Sequence, residues 1–173
     1  PIANFPGVTV DTRLGTSGQT PLSLFTETRN SFADGREITA GGILYTTTRD
    51  IDAYGLTIAF LDGLVSFSNT RGEKETNTVL LRSRHRVSPS GTWSDWNTLT
   101  VTSQRTSVVR AAFRREGLNG FIYDLEVAFL SARDANVTGR FRPTLESITE
   151  IQNGTAPFPD TALLGLRAVA TEN

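Results

Sequence analysis

Between Phe121 and Phe129 the apolar residues recur at every second place. Phe121, Tyr123, Leu125, Val127 and Phe129 share one side, and Asp124, Glu126 and Ala128 the other. A two-residue repeat is the pitch of an extended strand with one buried face; a helix, at 3.6 residues per turn, would scatter those side chains around its axis. The pattern returns along the chain. Val79, Leu81, Ser83, His85 and Val87 alternate with Leu80, Arg82, Arg84 and Arg86, and Ser107, Val109, Ala111 and Phe113 with Val108, Arg110, Ala112 and Arg114. Tyr54, Leu56, Ile58 and Phe60 form a further face, and Leu164, Leu166, Ala168 and Ala170 a weaker one. Runs rich in Thr, Ile and Leu at 38–48 and 145–152 read as strands too. No window of a dozen residues carries helical periodicity.

Turn chemistry separates these runs. Asp34-Gly35, Asp62-Gly63, Arg71-Gly72, Pro89-Ser90-Gly91, Glu116-Gly117, Asn119-Gly120 and Asn153-Gly154 stand where a reversal or a positive φ is expected. Many short strands with frequent turns define an all-β chain, a sandwich or a barrel. The expectation is an antiparallel β-sandwich, immunoglobulin/fibronectin-like or jelly-roll-like, over 36–173. Residues 1–35, rich in Thr, Ser, Gly and Pro, read as an extended N-terminal arm or linker. That arm either lies over the sandwich or pairs with a neighbouring chain, and Phe5, Leu22, Leu24 and Phe25 are its candidate assembly contacts. Pro157 and Pro159 bar a central strand from the stretch 153–160.

The 173 residues suit one domain with a core of its own. Absence of cysteine excludes disulfides, thiolate metal sites and a cysteine nucleophile. Seventeen basic against eighteen acidic residues argue against general nucleic-acid affinity. The longest apolar stretches, such as 58–61, are far short of a membrane span. Methionine is absent even at position 1, so the chain reads as a piece of a larger polypeptide, an internal domain of it, or as a processed chain.

No catalytic residue, metal ligand or cofactor is assigned. The single histidine, His85, falls on the apolar side of its strand between Arg84 and Arg86 and reads as a partly buried structural residue. No Gly-x-Ser-x-Gly elbow accompanies it. Asp50/Asp52 and Glu73/Glu75 are spaced to share a strand face, as a hydrolase or an oxygen-liganded cation needs. The glutamates, however, lie in a run that looks like a solvated loop. Trp93 and Trp96, three apart, are expected on opposite faces of a regular strand, where an exposed indole could stack on a sugar or a partner loop. Arg82, Arg84 and Arg86 form an outward row, either solvated or facing acidic glycans or a partner's carboxylates. These five residues are the candidate partner or glycan contacts, and a carbohydrate-binding module is the alternative they support.

One segment resembles a known family. Ile148-Thr149-Glu150-Ile151, a loop, and then Phe158-Pro159-Asp160-Thr161-Ala162-Leu163-Leu164-Gly165-Leu166 is similar to the tail tip attachment (host-specificity) proteins of lambda-type long-tailed phages. In that family a Tyr-Pro-polar-Thr-Ala-Leu-aliphatic-Gly-aliphatic run follows a Thr-Glu-Ile strand; here Phe158 replaces the usual Tyr. The resemblance spans roughly 50–173, with 66–91 departing from it. It implies a structural domain of the hub at the distal end of the virion tail, serving tail-tip assembly and host adsorption. It also implies a trimer in the full hub, with neighbouring tail-tip proteins and possible contact with a host receptor. It carries over no catalytic residue.

Overall fold

The computed structural model describes residues 8–20, 22–24, 27–68, 70–132, 139–154 and 160–168. In chain order the strands are β1 Val8–Leu14, β2 Glu27–Ala33, β3 Ile43–Thr46, β4 Ala53–Phe60, β5 Ser66–Phe67 and β6 Lys74–Glu75. They continue as β7 Asn77–Val87, β8 Asn97–Ser103, β9 Val109–Arg115, β10 Tyr123–Ala132, β11 Thr144–Asn153 and β12 Ala162–Ala168. Among the described residues there is no helix, hence none long and apolar enough to cross a membrane. Two compact units divide the chain: Arg29–Ile151, and Pro1–Thr28 with Gln152–Asn173.

The unit Arg29–Ile151 is the expected sandwich. One sheet has the order β3-β10-β7-β8 and the other β2-β11-β4-β9. The strand alternation produces the core directly. Val79 and Leu81 of β7, Leu99 and Val101 of β8, and Leu125 and Val127 of β10 meet Leu56, Ile58 and Phe60 of β4 and Leu145 and Ile148 of β11. Each such side chain contributes about 1.5–3 kcal/mol by leaving water. Bulges interrupt β10 at Phe129/Ser131 and β11 at Leu145/Ser147. A short antiparallel β5–β6 pair lies in sequence between β4 and β7.

Glycines take up the reversals. Gly35, Gly63, Gly72, Gly117, Gly120 and Gly154 all have positive φ. Gly63 is the most constrained: at φ 89°, an added Cβ would sit 2.4 Å from the Arg105 carbonyl oxygen.

Four details differ from the sequence expectations. The run 38–48 is not one strand. A turn closed by the Gly42 amide donating to the Thr39 carbonyl at 3.0 Å leaves only β3 extended, while Ile38 is buried ahead of it. Phe121 is exposed, because it precedes β10 and joins Ile51 only in an isolated bridge. Residues 27–33, inside the stretch read as arm, form β2. It is an edge strand that turns Phe32 toward Tyr45 at 6.3 Å between ring centroids. Leu164 and Leu166, expected inward, are exposed.

The other unit contains a two-stranded antiparallel ribbon of β1 and β12, in register from Val8↔Ala168 to Leu14↔Ala162.

Candidate functional site

Three features concentrate chemistry: an arginine–tryptophan stack and a groove on the sandwich, and one face of the ribbon.

The stack grows from the alternation of β7. Arg82, Arg84 and Arg86 project from the outer side of the strand, roughly 7 Å apart. Loop 91–96 folds back over them, because Ser94 is clamped to His85. The Ser94 amide donates to the His85 carbonyl at 2.8 Å, and the His85 amide donates to Ser94 Oγ at 3.1 Å. Trp93 and Trp96 flank that clamp and stack against the guanidiniums. Arg86 lies 4.7 Å and Arg84 4.6 Å from the Trp93 ring. Arg84 lies 4.2 Å and Arg82 4.3 Å from the Trp96 ring. The indoles are therefore not on opposite faces of a strand. They sit in a coil and join one five-membered ladder, whose cation–π contacts hold the cations side by side.

Carboxylates of β10 neutralise part of that charge. Glu126, paired with Arg84 in register, accepts from its Nε at 2.7 Å. Asp124, paired with Arg86, accepts from its Nε at 2.8 Å and from Thr46 Oγ1 at 2.8 Å. Burial opposes ionisation of Asp124. Hydrogen bonds from Thr46, Ser88 and Arg86, and the Arg86 charge, outweigh it and hold the carboxyl below its ordinary value. The place across from Arg82 belongs to Ala128.

His85 is half-buried on the inner side. Its ring packs edge-on against Tyr54 and Tyr123, and Nδ1 is 3.5 Å from Ser94 Oγ. Burial, and then the Arg115 charge, push its pKa down. Among the described residues no carboxylate bonds to the ring. Glu150, which sequence reasoning passed over, is fully buried. It accepts from Tyr45 OH at 2.9 Å, the Thr48 amide at 2.6 Å and Thr48 Oγ1 at 2.8 Å. This is a structural clasp between the sheets. Burial first and the Glu150 bond second raise the Tyr45 phenol above its ordinary value. Asp50, Glu73 and Glu75 are exposed, and no group of three acidic or histidine side chains among the described residues could hold a metal ion.

A groove of about 250 Å³ crosses the outer side of the second sheet. Gly55, Thr57, Ala112 and Thr149 line it, with Arg29 and Arg114 beside them. It exists because small side chains coincide in register, Thr149 across from Gly55 and Thr57 across from Ala112. Only the pairing of three separate strands reveals this.

The ribbon has two unlike faces. On one, Asp11 and Arg13 form an ion pair at 2.5 Å. The chain's own loop folds onto it: Ser23 Oγ donates to Asp11 at 2.9 Å and Arg13 Nε to the Thr20 carbonyl at 2.8 Å. Leu22 and Leu24 are half-buried; Phe5 and Phe25 lie outside the described residues. The opposite face carries Val8, Val10, Thr12, Leu14, Ala162, Leu164, Leu166 and Ala168. It has no charge, and all eight residues are exposed. The five large ones range from 39% for Val8 to 89% for Leu14.

No protein-family model matches this chain, and no curated protein matches it.

Proposed function

We propose that this chain is a non-catalytic structural module of the tail-tip hub (host-specificity) protein of a lambda-type long-tailed phage. It would sit at the distal end of the virion tail, against other copies of the same protein, trimeric in the full hub, and neighbouring tail-tip proteins. The observation that supports an assembly role is the bare apolar face of the β1–β12 ribbon. A lone two-stranded ribbon is marginal in water, and contiguous exposed apolar surface marks an interaction site. The phage assignment rests on the sequence resemblance at 148–151 and 158–166, whose last residues form β12.

The test is a virion carrying Leu164→Glu and Leu166→Glu in the full-length protein. Folded but unincorporated protein, and particles that fail to adsorb, are expected. Normal incorporation and adsorption would contradict the assembly role. Labelling by an antibody to the chain anywhere but the tail tip would contradict the location.

A second reading, a carbohydrate-binding module, is supported by the groove of about 250 Å³ at Gly55. The indoles support it less. Each is already stacked against two guanidiniums.

A further inference from the structure

We propose that β8 is a docking edge for an extended, acidic segment of a partner protein, with Arg82 reading its carboxylate. Two independent observations converge there.

The first concerns the edges of the sandwich. An edge strand presents unpaired backbone groups, and folded proteins guard against stray pairing with short strands or charges. Of the four edges, β3 has only four residues. Charge marks two more: Glu27 and Arg29 in β2, and Arg110, Arg114 and Arg115 in β9. The fourth, β8, is seven residues of Asn-Thr-Leu-Thr-Val-Thr-Ser with neither charge nor proline. Leu99 and Val101 face the core, while Thr98, Thr100 and Thr102 are exposed in a β-branched row. Such a strand is suited to accept one more.

The second concerns the ladder. Three guanidiniums face two carboxylates, and the unmatched cation is Arg82, whose cross-strand neighbours are Ala128 and Thr98. Its Nε is shut off from solvent with no acceptor among the described residues. Its other donors are the two Nη groups. Stacking on Trp96 fixes this cation in advance, so a ligand gains the contact without ordering a free side chain. A strand added to β8 would lie two strand spacings from β7, about 10 Å. A glutamate and an arginine together span that distance over the intervening Thr98.

The test uses isotope-labelled full chain and two synthetic eight-residue peptides. One alternates valine with glutamate and the other valine with glutamine. The glutamate peptide is expected to shift the amide signals of β8 together with the Trp96 indole signal. It should bind about tenfold more tightly than the glutamine peptide, as expected for one charge-assisted hydrogen bond. Arg82→Gln should erase that preference. So should Thr98→Glu, at an exposed position, by giving Arg82 a carboxylate of its own while leaving the fold intact. Equal binding of the two peptides, or shifts that miss β8, would overturn the proposal. So would a uronic acid oligosaccharide that moves the same signals when the peptides do not. Concentration-dependent β8 shifts that the glutamate peptide cannot displace would assign the edge to a second copy, and overturn it as well.

Discussion

Gly63 and Gly35 share nearly the same φ, 89° and 88°, yet they should respond differently to a methyl group. A Cβ at Gly63 meets the Arg105 and Thr106 backbone, whereas at Gly35 nothing lies within 4 Å. Gly63→Ala should cost about 3 kcal/mol and Gly35→Ala about 1 kcal/mol in chemical denaturation. Equal losses would mean the close approach at Gly63 is not rigid. Asp124 makes a pH prediction. Its depressed pKa contributes stability that is complete above about pH 4, where the unfolded carboxyl is also ionised, and that is lost as pH falls through the folded value. Asp124→Asn should therefore lower the melting temperature at pH 7 and shrink the further drop on going to pH 3. An unchanged drop would assign the acid sensitivity to other carboxyls. Both residues were partly legible beforehand: an Asp-Gly pair signals a turn, and alternation put Asp124 opposite the apolar side. The Arg105 carbonyl against Gly63, and Arg86 against Asp124, come only from strand pairing.

At the scale of elements, legibility followed burial. The runs of β4, β7, β9 and β10 were readable because each turns one face into a common core. The short edge strand β3 and the polar edge strand β2 bury little and left little pattern. The ladder was half-readable. Alternation placed Arg82, Arg84 and Arg86 together, but the indoles reach them from a coil held by Ser94, and coil has no period to read. Each indole touches two guanidiniums. Trp93→Ala and Trp96→Ala should each cost roughly 2–4 kcal/mol, combining lost cation–π contact with lost packing. Wild-type thermal stability in either variant would show that the stack is incidental. Arg84 touches both rings, so the effects of the two substitutions should not add.

The chain contains a sandwich with a core of its own and a ribbon with one bare apolar face. The ribbon was invisible in the sequence because its strands come from opposite ends of the chain, and the alternation in β12 pointed Leu164 and Leu166 the wrong way. Nothing local distinguishes a strand that buries its apolar side in its own core from one that leaves it bare. The proposed assembly role requires that bare face to be a contact surface. Sedimentation across a concentration series, on the wild-type chain and on Leu164→Glu/Leu166→Glu, tests it most directly. An assembly face gives a mass that rises above one chain for the wild type and stays at one chain for the variant, with the same melting behaviour of the sandwich. A wild-type chain that remains single at every concentration, indistinguishable from the variant, would contradict it.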